Sequence, residues 1–340
     1  MIHGGDVYNN KVNIDYSVSV NPLGVPKEVL DTMQEALLKC ERYPEIDSMN
    51  LRKKCANKYG ISVDNVYFGN GSSELFMGIA NTINAKKVLI PVPSFFGYEH
   101  AFFNEKFETC FYQMKEENDY SLDEDFIDLL SDDYDCLVIA NPNNPTGKLI
   151  DKKLLTDILD KCKKLNIRVI LDECFTEFTG ENNSIVDRIN DYPNLCIIRS
   201  FTKIYAIPSI RLGYMISSDT EFIKDVIKHL SEWNVSGIAQ AVGDKCFDLD
   251  EYVKKSFEYI ENEKKYLSDS LNELGIKVLD SDCNFFLIKA DKSLYDSLLE
   301  RKILIRDCSN FRGMKEGFFR LAVKKHEENE AFIKCLKEIG

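Results

Sequence analysis

Between residues 87 and 216, short apolar runs alternate with segments of helical periodicity. The runs are Lys87–Pro91, Cys136–Ala140, Arg168–Leu171, Leu195–Arg199 and Gly213–Ile216. Short continuous apolar stretches bounded by polar residues fit strands covered on both faces. Glu74–Asn81 and Lys152–Leu165 carry the apolar spacing of helices. Strand, amphipathic helix, strand is the pattern of a mostly parallel sheet flanked by helices, an α/β fold. Ligands in such sheets bind beyond the carboxyl ends of the strands. Three runs end there in residues with chemistry to offer. Asn141-Pro-Asn-Asn-Pro-Thr-Gly147 follows the second, Asp172 the third, and Ser200-Phe-Thr-Lys203 the fourth.

A lysine at the end of a buried strand is costly unless it loses its charge or forms a bond. A Schiff base with an aldehyde cofactor does both, and pyridoxal phosphate (PLP) is held in that way. Asp172 is then a candidate to face the pyridine nitrogen and keep it protonated, so that the ring can accept electrons. Asn-Gly-Ser-Ser-Glu74 reads on its own as a turn and a capped helix start. Arg211, eight residues after Lys203, turns that start into a candidate phosphate site.

The ends of the chain read differently. A helix is expected near Pro26–Cys40, a long one over Glu251–Leu274 ended by Gly275, and a last one over Asn329–Ile339. Phe285–Ile288 and Phe319–Val323 read as strands. The expectation is a large domain over 41–230, and a smaller α+β domain made of 1–40 and 231–340.

The formal net charge of -13 argues against nucleic acid or an anionic membrane as a partner. Residues 301–325 run against that balance, with eight Lys/Arg and two acids. Arg306, Arg312 and Arg320 lie there amid apolar residues and glycine, as an anion site requires. Eleven cysteines are scattered without a CxxC pair, so neither a disulfide framework nor a structural zinc is expected. His100, His229 and His326 show no metal spacing, and no metal is expected. The N-terminus does not read as a signal peptide and no apolar run is long enough to span a membrane, which gives a cytoplasmic expectation.

As an ordered set, the segments resemble the fold-type I PLP enzymes of the aspartate aminotransferase superfamily. Within it they resemble the branch of threonine-phosphate decarboxylase and histidinol-phosphate aminotransferase. The resemblance rests on His3-Gly-Gly, Asn21-Pro-Leu-Gly24, Arg42-Tyr-Pro44, Gly69-Asn-Gly-Ser-Ser-Glu74, Asn141 to Gly147, Asp172-Glu, Ser200 to Lys203, Arg211-Leu-Gly, and Arg306 to Gly313. It implies a central sheet of the seven-stranded type and a homodimer.

In that resemblance Lys203 is the Schiff-base lysine and proton carrier, and Asp172 its partner in catalysis. Gly71, Ser72, Ser73, Ser200, Thr202 and Arg211 hold the cofactor phosphate. Asn144 donates to the phenolic oxygen, and Phe95 stacks on the ring, with Phe96 as the competing choice. Tyr43 reaches the cofactor of the other subunit. Arg320 clamps the substrate α-carboxylate, Arg306 takes a second anion, and His3, Asn21 and Asn310 complete the substrate pocket. Phe175 stands where many members carry a tyrosine, a departure that suits the decarboxylase branch. The implied reaction is decarboxylation of a small anionic amino acid, L-threonine O-3-phosphate, giving 1-amino-2-propanol phosphate for cobamide assembly. Histidinol-phosphate-type transamination, and action on O-phosphoserine or a phosphonate amino acid, are the alternatives.

Overall fold

The computed structural model describes residues 3–180 and 183–339. Seven strands form the central sheet, in the order Val66–Gly69, Gly213–Ile216, Leu195–Ser200, Arg168–Asp172, Cys136–Ala140, Lys87–Val92 and Glu108–Gln113. Only Gly213–Ile216 runs antiparallel to its neighbours. The inner strands are almost wholly buried, as their unbroken apolar sequences require. All five apolar runs of the sequence lie in this sheet.

The two strands that sequence reasoning missed are the edges. Val66–Gly69 has only four residues, and Glu108–Gln113 is half-exposed and mixes polar with apolar side chains. Neither carries the continuous apolar signal of an inner strand. Gly213 is required where it stands, because a Cβ there would lie 2.7 Å from the backbone nitrogen of Ser72. The helix Ser72–Thr82 therefore starts in direct contact with the sheet.

A second, antiparallel sheet has the order Arg306–Asp307, Phe318–Ala322, Phe285–Lys289, Lys277–Val278. The long helix Asp250–Glu273 leads into it and stops before Gly275, whose φ of +75° is the left-handed conformation glycine favours. The N-terminal arm joins this end of the chain. Ile14–Asp15 pairs in parallel with Ile303–Leu304, and the Tyr16 hydroxyl donates to Asn329 Oδ1 at 2.9 Å. The helix Lys27–Leu37 packs on Gly237–Cys246. One hydrophobic core runs from Tyr16 through the central sheet to Leu336.

Candidate active site

A cavity of about 340 Å³ opens where the carboxyl ends of the central strands meet the N-terminal arm and the small sheet. A volume of this size suits a small ligand. It brings together twelve residues that the sequence singled out: His3, Ser72, Ser73, Phe95, Asn144, Asp172, Ser200, Thr202, Lys203, Arg211, Arg306 and Arg320.

One wall is built to hold an anion. The helix Ser72–Thr82 has Gly71 at its N-cap and no side-chain cap on its first amides. Those amides carry the positive end of the helix dipole. Gly71 has φ +79°, and a Cβ on it would lie 2.4 Å from Arg211 Nη2, so only glycine admits the guanidinium. Arg211 is held by donating from Nη1 to the Pro208 carbonyl at 3.0 Å. The hydroxyls of Ser200 and Thr202 lie 2.7 Å apart, and the Thr202 amide donates to Ser200 Oγ at 3.2 Å.

The floor carries Asp172 and Lys203. Both Asp172 oxygens are engaged: the Tyr98 hydroxyl donates to Oδ2 at 2.6 Å and the Cys174 amide to Oδ1 at 2.8 Å. Burial pushes this carboxyl above the usual range, against those hydrogen bonds and the Lys203 charge, which favour ionisation. Lys203 is lowered to about 8, first by burial and then by the Arg320 charge. An amine near that value supplies both protonation states around neutrality, as a proton carrier needs.

The roof is cationic. Arg306 and Arg320 are direct partners on adjacent antiparallel strands. Like charges directly opposite repel. Both are buried, and the polar partners of Arg320 are neutral ones. Arg320 donates to Asn144 Oδ1 and to the Ser17 carbonyl at 2.7 Å, lies over the Phe285 ring at 5.2 Å, and leaves Nε without a partner. Arg306 donates to Asn310 Oδ1 at 2.8 Å and lies over the Phe311 ring at 4.8 Å. Arg320 is lowered to about 10, first by burial, with Arg306 adding to the shift. An anion between them offsets both costs. His3 lies 6.0 Å from the Phe95 ring and 5.9 Å from the Phe96 ring, and burial lowers its pKa, helped by Arg306. Phe95 and Phe96 both line the cavity, so its walls offer two rings rather than one.

Four expected residues do not line the cavity with a side chain. Asn21 does not line the cavity. Its side chain is spent on the Ile204 carbonyl, Ser256 Oγ and the Leu23 amide, while its backbone N–H donates to the Lys203 carbonyl at 3.0 Å. It braces the lysine turn. Asn310 faces an adjoining recess beside Asp6 and Tyr295 and accepts from Arg306, which lines both that recess and the cavity. Gly71 acts through its backbone. Tyr43 is 84% exposed and away from the cavity of its own chain.

Sequence reasoning missed Tyr98, Cys174 and the backbone of Ser17 to Ser19. Tyr98 lies on the helix Phe96–Phe102 and follows the Phe95-Phe96 pair, so its proximity was readable but its aim was not. Phe175 meets the edge of Phe285 at 5.0 Å and offers no hydroxyl at this wall.

The family profile of aminotransferase class I and II matches residues 11–336, and the chain belongs to that family. It is a PLP-dependent enzyme of the fold-type I class. The threonine-phosphate decarboxylase of Salmonella typhimurium is 29% identical to it over 330 residues, covering 96% of this chain and 91% of that one. The structure of histidinol-phosphate aminotransferase from Clostridium acetobutylicum superposes with a TM-score of 0.90 at 33% identity, over 96% of this chain and 99% of that one. That of L-threonine-O-3-phosphate decarboxylase from Porphyromonas gingivalis gives 0.87 at 27%, over 96% and 99%.

The cavity fits the cofactor on its own geometry. An uncapped helix start with a glycine-seated arginine suits the phosphate, a buried carboxylate suits a protonated ring nitrogen, and a lysine of lowered pKa suits the aldehyde.

Proposed function

We propose that this protein decarboxylates a short phosphorylated amino acid, L-threonine O-3-phosphate, to (R)-1-amino-2-propanol O-2-phosphate for cobamide assembly. The observation that carries the reading is the facing pair Arg306 and Arg320 in the cavity that holds Lys203 and Asp172. Antiparallel partners start about 4.5–5.5 Å apart at their Cα atoms. Two anions held by such a pair belong to one small molecule, with few bonds between them. The relatives named as threonine-phosphate decarboxylases support the same substrate.

When bound, PLP supplies an aldehyde for the lysine and a ring that accepts electrons. Ser72, Ser73, Ser200, Thr202 and Arg211 would hold its phosphate, Asp172 its ring nitrogen, Asn144 its phenolic oxygen, and Phe95 or Phe96 its face. Arg320 binds the α-carboxylate, and Arg306 with His3 the phosphate ester. The bond from Cα to the carboxylate breaks, carbon dioxide leaves, and protonated Lys203 gives its proton to that carbon in the carboxylate's place. The burial of Arg320 excludes water from the carboxylate while it stays.

Purified holoenzyme given O-phosphothreonine should release carbon dioxide without forming keto acid. Transfer of the amino group to 2-oxoglutarate without carbon dioxide would overturn the assignment in favour of the aminotransferase reading that the Clostridium structure represents. Arg306→Ala should lower kcat/KM for O-phosphothreonine by about 30- to 5,000-fold, equivalent to about 2–5 kcal/mol. Unchanged kcat/KM would remove the second-anion role.

The active form in this reading is a homodimer of two-domain subunits, divided as 41–230 and 1–40 with 231–340. Leu30, Leu37, Leu38, Tyr43 and Ile46 are exposed on one segment, with Tyr43 packed on the exposed Trp233 at 5.1 Å. An apolar cluster of that kind calls for cover, and a second copy supplies it. Tyr43→Ala should weaken cofactor binding about tenfold in equilibrium dialysis, and sedimentation should give twice the chain mass; a monomer of full activity would end the idea. Eight of the eleven free cysteines are buried, which suits a reducing, cytoplasmic setting. Among the described residues no helix is long and apolar enough to cross a membrane.

A further inference from the structure

Behind the strands that carry the cavity lies a second set of buried charges with no part in the reaction above. Glu173 is 0% exposed and Arg199 5%. Arg199 Nη2 lies 3.1 Å from Glu177 Oε1, its Nε 3.8 Å from Glu173 Oε2, and its Nη1 donates to the Tyr59 hydroxyl at 2.7 Å. The Tyr59 and Tyr214 hydroxyls are 2.8 Å apart. Glu173 is fixed from its other side by Ser184 Oγ and, at 3.0 Å, by the Ile185 amide.

The register shows what this layer touches. Glu173 follows Asp172, Arg199 precedes Ser200, and Tyr214 follows Gly213. Arg199 and Tyr214 are direct cross-strand partners, as are Ser200 and Gly213. The Glu173 amide donates to the Ile198 carbonyl at 2.8 Å. Successive side chains on a strand point to opposite faces. Glu173 and Arg199 are therefore the reverse sides of Asp172 and Ser200, which line the cavity, and Tyr214 that of Gly213, on which the helix start packs. The linkage extends to the helix start, since a Cβ on Gly213 would meet both Ser72 N and the Arg199 carbonyl, at 2.7 and 3.0 Å.

Apolar side chains of similar volume hold a sheet together as well as a buried ion cluster does, and often better. What they lack is direction: a guanidinium bridging two carboxylates and a phenol fixes the strand Leu195–Ser200 against the segment Glu173–Glu177 and the helix Met49–Tyr59 in one relative position. We infer that Arg199 is a positioning residue for the proposed reaction, setting the spacing of Asp172, Ser200 and the Ser72 amide from behind the sheet. The inference rests on the functional reading for its kinetics but not for its effect on cofactor binding.

The test uses holoenzyme with two variants. Arg199→Lys keeps the charge but cannot bridge Glu177 and Tyr59 together in a planar fork. It should lower kcat at least tenfold and weaken PLP binding, with the melting temperature within about 2–4 °C of wild type, the shift of a small stability change. The triple variant Glu173→Leu, Arg199→Met, Glu177→Leu removes the cluster without leaving a lone buried charge. Where it folds, it should show the same loss of kcat and cofactor affinity despite an unchanged or raised melting temperature. Wild-type kcat and PLP affinity in Arg199→Lys would overturn the inference, whatever the triple variant does. If the wild type proves to be an aminotransferase, the cofactor-affinity arm still decides this question.

Discussion

Lys203→Ala should yield a folded protein whose release of carbon dioxide from O-phosphothreonine is at least about 10,000-fold slower than wild type. The loss combines the covalent attachment and the proton carrier, each of which contributes orders of magnitude. The substitution should not harm the fold, and the sign of its effect on stability can be worked out. Without cofactor, Lys203 titrates at about 8, below the usual lysine value of about 10.4. The unfolded chain thus binds more protons between those values, and stability rises with pH across that window. Below about pH 8 the penalty of burying the charge is present in full. Cofactor-free Lys203→Ala should therefore melt higher than cofactor-free wild type at neutral pH. Borohydride reduction of wild-type holoenzyme should leave a pyridoxyl group on the peptide containing Lys203. An untagged peptide from protein saturated with PLP would end the case for this lysine.

Asp172→Asn should keep the fold and cost about 100- to 1,000-fold in kcat, the range seen when one electrostatic contact to a reacting group is removed. Asparagine still accepts from the Cys174 amide through its oxygen, while its NH2 takes the place of Oδ2 and donates to the Tyr98 hydroxyl. It can no longer stabilise a positive ring nitrogen, so the cofactor binds but draws electrons poorly. The folded-state carboxyl sits above its unfolded value, so the native chain binds more protons there, and wild-type apoprotein stability falls as pH rises through the carboxylate range. The asparagine variant should lack that slope. A loss of less than tenfold in kcat would show that the carboxylate is not the ring's partner.

The parts of this site that could be read from sequence are those tied to strand ends. Asp172 and Lys203 follow apolar runs that only a buried strand explains, and strand ends in such sheets converge. The facing of Arg306 and Arg320 was not readable, because the strand Arg306–Asp307 has only two residues and its pairing depends on distant segments. Asn21 shows the opposite case. It stands in a motif shared with substrate-binding positions, yet its amide is consumed by Ile204 and Ser256. A sequence names the polar group but not the neighbours that compete for it. Tyr98 was passed over for the same reason: nothing local tells a packed tyrosine from one aimed at a buried carboxylate. The edge strands escaped because half-exposed strands lack an apolar signature.

The cavity's two walls come from different stretches of chain. Within one chain's own cavity, the residues that would grip the vitamin lie within 71–211, whereas the clamps for the amino acid wait until positions 306 and 320. Synthesis proceeds from the N-terminus, so a growing polypeptide gains its coenzyme cradle roughly a hundred residues before its substrate clamps. Coenzyme supply can then steady an unfinished molecule, by mass action on whatever native-like state it has reached, at a stage when no turnover is yet possible.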